Sequence, residues 1–160
     1  MVQRLLAQGS IGRVNHSNQT RGADSALSVL NVYLSLDSAG ARNSSSRMRE
    51  SGIDTLAIWG DEPGYDQTDV VTAFEATCAA QTKDHAIISV RFRSVGQIVV
   101  DESGAAYTFV PRDAADIIEE LLRKTRRGWK LAERSWGPRI SPATARRSFH
   151  LTNPQALGRF

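Results

Sequence analysis

The chain has 160 residues, 41% of them apolar and 23% charged, with a net charge of +3 at pH 7. That length and balance fit one globular domain with a real core, not a collagenous, disordered or membrane-embedded chain. No apolar run reaches the roughly 18 residues of a membrane span, and the single cysteine, Cys78, excludes an internal disulfide and a cysteine-rich zinc site.

The first residues, Met1 to Ala7, are too short and broken for a signal peptide, so a cytoplasmic location is expected. Residues 1–23 are rich in Gln, Asn, Ser, Gly and Arg and read as a mobile arm. Asp24 or Ser25 can cap a helix, and Leu27, Leu30 and Leu34 follow at the spacing of an amphipathic one, which Gly40 ends. The polar stretch 41–50 reads as a short exposed helix or a loop, with Gly52 as its stop. Ile53 to Trp59 suits a short helix or a strand, and residues 60–64 form a turn cluster.

Alternation then takes over. Val70, Thr72 and Phe74 alternate with Val71, Ala73 and Glu75, up to Cys78. Cys78 lies among Ala76, Thr77, Ala79 and Ala80 and reads as a small buried hydrophobe. Lys83 and Asp84 break the pattern. Ile88, Val90 and Phe92 against Ser89, Arg91 and Arg93 make the clearest strand, and Gly96 predicts a bend in its continuation. Residues 101–104 form a hairpin turn, after which Tyr107 and Phe109 share a face. From Asp113 to Lys124 the local pattern is helical, with Ile117, Ile118, Leu121 and Leu122 on one side and i to i+4 charge pairs on the other.

Arg126-Arg127-Gly128 makes a turn, and Trp129 and Leu131 then alternate with Lys130. Glu133 continues the Trp129/Leu131 face, so a carboxylate follows two core residues toward what reads as a pocket mouth. Ser141-Pro142 begins a last short helix that Asn153-Pro154 ends.

Charge is unevenly spread. Residues 50–120 hold 14 Asp/Glu against four Lys/Arg, and residues 121–160 hold ten Lys/Arg against one Glu. An acidic body with a solvated basic tail folding back onto it accounts for this. A nucleic-acid surface is the alternative, which the scarcity of aromatics in the tail disfavours.

A helix followed by long strands, with the bent segment Val90-Arg91-Phe92-Arg93-Ser94-Val95-Gly96 and the stretch Lys124 to Glu133, resembles the nuclear transport factor 2-like superfamily. The likeness covers residues 24–150. It implies an α+β fold, a strongly curved mixed or antiparallel sheet forming a cone closed by N-terminal helices. It implies three segments: the arm 1–23, a single cone domain 24–152 and a tail 153–160. It also implies that residues 116–124 are a strand, the hairpin partner of the Gly-Trp-Lys-Leu strand, against their local propensity.

Members of this superfamily that are enzymes use an acidic base, a His, a Tyr donor or an Arg inside the cone. The inward positions inferred for this chain are Val70, Thr72, Phe74, Ile88, Val90, Phe92, Tyr107, Phe109, Trp129, Leu131 and Glu133. Of these only Glu133 and Tyr107 have acid–base chemistry. They are the candidate catalytic pair, Glu133 as proton acceptor and Tyr107 as hydrogen-bond donor; a rim ion pair of Glu133 with Arg134 or Arg139 is the plainer alternative. Phe74, Val90, Phe92, Phe109, Trp129 and Leu131 are the candidate ligand-binding residues.

The histidines, His16, His85 and His150, have no metal-ligand spacing, and the acids Asp61, Glu62, Asp66 and Asp69 lack the EF-hand pattern. Neither a metal nor a cofactor is expected. Trp136 reads as packing against Pro138 or Phe149. The expected function is a module that binds a small apolar molecule in the cone. The alternatives are an isomerase, dehydratase or cyclase using Glu133 and Tyr107, and an interaction module with a basic tail. A homodimer through the sheet is expected; nucleic acid and membrane are not.

Overall fold

The structure, a computed structural model, describes residues 25–60, 63–133, 137–158 and 160. Helices α1 (Ala26–Ser38) and α2 (Ser45–Ser51) come first, with 3₁₀ turns at Ala41–Asn43 and Ile53–Leu56. Strands β1 (Gln67–Gln81), β2 (His85–Val100), β3 (Tyr107–Thr125), β4 (Gly128–Leu131) and β5 (Arg139–Ile140) follow, then α3 (Pro142–Ser148) and a 3₁₀ turn at Pro154–Leu157. Among the described residues the fold is α+β: a strongly curled, mixed, five-stranded half-barrel with three helices. The sheet order is β4-β3-β2-β1-β5, antiparallel except for β5, which runs parallel to β1. Among the described residues no helix is long and apolar enough to cross a membrane.

Local chemistry explains the helix ends. Ser25 caps α1 by accepting from the Ser28 N–H at 3.0 Å, Ser44 accepts from Arg47 N–H at 3.3 Å, and Ser141 from Thr144 N–H at 3.1 Å. Gly52 closes α2 with φ +70°. α3 stops at Ser148 with Phe149 as its cap, several residues before the stop expected at Asn153-Pro154; Pro154 opens a 3₁₀ turn instead.

Segment 113–124, helical by local pattern, lies wholly within β3. Its residues pair with β2 from His85↔Arg123 to Ser94↔Ala114, and its end forms a hairpin with β4. In the turn between β2 and β3, the Ser103 hydroxyl and the backbone N–H groups beyond it hold the Asp101 carboxyl below the usual carboxylate range.

The curl has a register origin. β1 and β2 slip between Val70 and Val71, Val71 and Ala73, and Cys78 and Ala80; β2 and β3 slip between Ser94 and Gly96. Such bulges bend and twist strands. They also correct the alternation expected in β1: Val70 and Val71 are both buried, and Thr72 faces solvent. At the bend a Cβ on Gly96 would run into the Phe109 ring and the Val110 carbonyl, so this close approach requires glycine.

Every even residue of β2 from Ala86 to Ile98 is buried, which makes one continuous inner face. Two core clusters cover it. Near one end Leu30, Tyr33 and Leu34 of α1 pack with Met48, Ile53, Ile88, Val90, Phe92, Leu122, Trp129 and Leu131. Toward the other, Val70, Ile98, Phe109 and Ile140 pack with Ala145 and Leu157. The basic C-terminal segment is thus partly structural. Cys78 is exposed, not buried: β1 runs on beyond the layer of side chains that covers its neighbours, and positions 77–81 all face solvent.

Candidate functional site

The structure divides the predicted site residues between two places. Val90, Phe92, Trp129 and Leu131 meet in the first cluster, with Phe74 packed against it at 6.5 Å between ring centroids from Phe92. Phe109 belongs to the second cluster, and Tyr107 packs there edge-on against Phe149 at 5.1 Å. β4 ends at Leu131, so Glu133 lies past the strand and is exposed rather than inward.

Glu133 and Tyr107 are not brought together. The Ala132 N–H bonds the Leu121 carbonyl at 2.8 Å, which sets Glu133 near one end of β3, while Tyr107 opens the other. About 14 residues of strand lie between them, roughly 45 Å along the chain path. Of the rim partners considered for Glu133, Arg139 turns instead to Asp69, Nε to Oδ2 3.9 Å. Arg134, Trp136, His16, Asp61 and Glu62 lie outside the described residues, as does the arm 1–23. His85 and His150 are exposed.

A buried polar cluster joins α1, β5 and the chain before β1. The buried stripe of α1 runs Ala26, Leu30, Tyr33, Leu34, and its next member is Asp37. Asp37 Oδ2 accepts from the Arg139 backbone N–H at 3.1 Å and lies 3.4 Å from Arg42 Nη1. Arg42 is itself buried and donates to the Tyr65 hydroxyl at 2.6 Å. The Arg139 guanidinium sits 4.4 Å from the Phe92 ring centroid, bridging the two clusters. Burial pushes the Asp37 carboxyl up to about 6, more strongly than Arg42 and the Arg139 N–H pull it down.

This arrangement is a structural clamp with little room for a substrate. The space among Tyr33, Arg42, Met48, Ile53, Ala57 and Trp59 is about 10 Å³, enough for about one water. Among the described residues no three His, Cys, Asp or Glu side chains gather to hold a metal ion.

Two adjoining grooves lie on the outer face of the sheet, and open hollows of about 510 and 370 Å³ lie along α1 and around Gly40. One groove of about 340 Å³ is lined by Ala73, Glu75, Arg91, Arg93, Asp113 and Ala115, with Phe74, Phe92 and Ala114 also contributing. A second, of about 550 Å³, adjoins it through the shared Arg93 and Asp113 and adds Thr72, Val95, Pro111, Arg112 and Phe160. Arg146 holds the Phe160 wall by donating to the carbonyls of Phe160 (3.0 Å) and Gly158 (2.6 Å). Arg112 pairs with Asp116 at 2.9 Å, whereas Arg93 has no ion-pair partner among the described residues. The alternation of β2 marked Arg91 and Arg93 as outward. The grooves themselves depend on the bulges near Thr72 and Gly96, which alternation does not foretell.

Comparison with known protein families, with curated proteins and with solved structures returns no match to this chain.

Proposed function

We propose that this chain is a non-catalytic module that binds a small amphipathic molecule, apolar over most of its length and anionic at one end, in the outer-face groove. The observation that carries the reading is Arg93: a guanidinium without an ion pair among the described residues, placed where two grooves of 340 and 550 Å³ meet. Val95, Pro111 and Phe160 offer the apolar wall. Ligand pockets combine this volume with a mostly apolar lining and a few polar groups that fix orientation. The ligand class is that expected from sequence, with a charged end added. The place differs from the inner face expected from sequence, where the two core clusters pack, and lies on the opposite face. The α+β order and curled sheet support the nuclear transport factor 2-like resemblance.

Titration with decanoate, followed by calorimetry, tests this. Arg93→Ala is expected to weaken binding by about tenfold, roughly 1.4 kcal/mol, and 1-decanol is expected to bind the wild type more weakly than decanoate does. Equal decanoate affinity for wild type and variant, or no binding to either, overturns the proposal.

A second reading, self-association through the sheet, is favoured by Ile87 and Ile117. They are 37% and 60% exposed, and they lie on the outer side of β2 and β3.

A further inference from the structure

Among the described residues the sheet leaves one long edge unguarded. β5 pairs only with Asp69 and Val70, so among the described residues β1 has no neighbour on that side from Val71 to Gln81. The opposite edge, β3, is protected. β4 covers Leu122 to Thr125. At the other end Thr152 N–H bonds the Tyr107 carbonyl, and the Asn153 side-chain amide bonds both the N–H and the carbonyl of Phe109. Between them stand the exposed Asp113 and Glu119 and the half-buried Asp116, and charge along an edge discourages pairing. On β1 the register slips on either side of Ala73–Cys78 leave six regular residues, Ala-Phe-Glu-Ala-Thr-Cys, with Glu75 their one charge. Six residues span roughly 20 Å, an ordinary strand length.

We infer that two copies of this chain join β1 to β1, antiparallel, about a two-fold axis at Ala76, merging two five-stranded sheets into one. The inference rests on the self-association reading above and moves the contact from the Ile87/Ile117 face to the β1 edge.

Backbone direction fixes which residues are free to pair. Thr82 N–H donates to the His85 carbonyl, and Lys124 N–H to the Asp84 carbonyl. Odd residues of β2 from His85 to Arg93 therefore turn their backbone toward β1, and the partners Ala73, Glu75 and Thr77 turn toward β2. Phe74, Ala76 and Cys78 consequently offer their N–H and C=O groups outward. Directly opposed residues in an antiparallel pair both face the partner or both face away, so a two-fold axis passes through a residue position.

Three registers compete. An axis at Glu75 sets two carboxylates face to face, which is destabilising. An axis at Thr77 brings the slip beyond Cys78 against Glu75. An axis at Ala76 places each Glu75 opposite the partner's Thr77, whose hydroxyl can donate to the carboxylate, and each Phe74 opposite the partner's Cys78. It also lets the outward groups form roughly six backbone hydrogen bonds. A symmetric pairing of this kind closes on itself and leaves no open β1 edge.

Sedimentation equilibrium on the full chain reads the assembly. Wild type is expected to dimerise. Ala76→Pro, which deletes an outward N–H and leaves the β1–β2 ladder intact, is expected to be monomeric with unchanged circular dichroism. Ala76→Cys in a Cys78→Ala background is expected to form a disulfide-linked dimer on mild oxidation. The two copies of residue 76 would lie about 5.5 Å apart at Cα, within disulfide reach. Gln81→Cys in the same background is expected to stay unlinked. A wild type that is monomeric at all concentrations overturns both the edge pairing and the self-association reading. A wild-type dimer that survives Ala76→Pro, fails to cross-link through residue 76 and dissociates with Ile117→Lys overturns the edge pairing alone.

Discussion

Asp37 shows how one side chain fixes a junction and sets a pH dependence. Its position follows the 3.6-residue stripe of α1, which offered a signal for its burial that hydrophobicity alone discards. Its carboxyl stands at about 6 in the folded chain against an ordinary 3.8, because burial disfavours the anion more than Arg42 and the Arg139 N–H favour it. The folded state thus holds this proton more tightly than the unfolded state does. The stability from protonation is fully present below about pH 4 and is lost as pH rises through about 6. Two units correspond to about 3 kcal/mol. Asp37→Asn removes that titration. Urea unfolding of both proteins at pH 4 and pH 7.5 should show the stability difference shifting toward the variant by about 3 kcal/mol at the higher pH. A difference that does not change with pH would show that Asp37 is not protonated in this window.

At the scale of elements, what was legible depended on whether the information was local. The caps Ser25 and Ser141, the stop at Gly52, the bend at Gly96 and the alternation of β2 are written in neighbouring residues, and each is found in place. β1 is less legible, since Thr72 and Cys78 take their exposure from slips against β2 and from how far the helices reach. Glu133 departs from the inward position for a related reason: alternation from Trp129 requires the strand to continue, and β4 stops at Leu131. β3 is the sharpest case, because residues 113–124 prefer helix locally and become strand through pairing with β2 and β4. A synthetic peptide spanning residues 112–126 should therefore turn helical in trifluoroethanol, while the full chain stays strand-rich by circular dichroism. A peptide that forms β-structure under those conditions would mean that the strand is locally encoded after all.

At the scale of the whole molecule, the described residues form a one-sided sheet. Both core clusters lie on the inner face, and the outer face carries the grooves, so adjacent residues of β2 have opposite duties. Phe92 is buried inside, under the Arg139 guanidinium and beside Phe74. Arg93, one residue on, points out. Removing a buried phenylalanine ring typically costs about 3–5 kcal/mol through lost transfer energy and the cavity left behind. Truncating an unpaired surface side chain stays within about 0.5 kcal/mol. Phe92→Ala should accordingly lower the unfolding free energy by about 3–5 kcal/mol, and Arg93→Ala should leave it nearly unchanged while weakening decanoate binding. Chemical denaturation of the two variants, paired with calorimetric titration, checks both halves. If Arg93→Ala destabilised the chain as much as Phe92→Ala, Arg93 would be a structural residue and the outer groove would lose its anchoring charge. The expected split, in which folding is lost on one face of β2 and binding on the other, follows from a curled sheet whose inner surface is already filled by its own side chains.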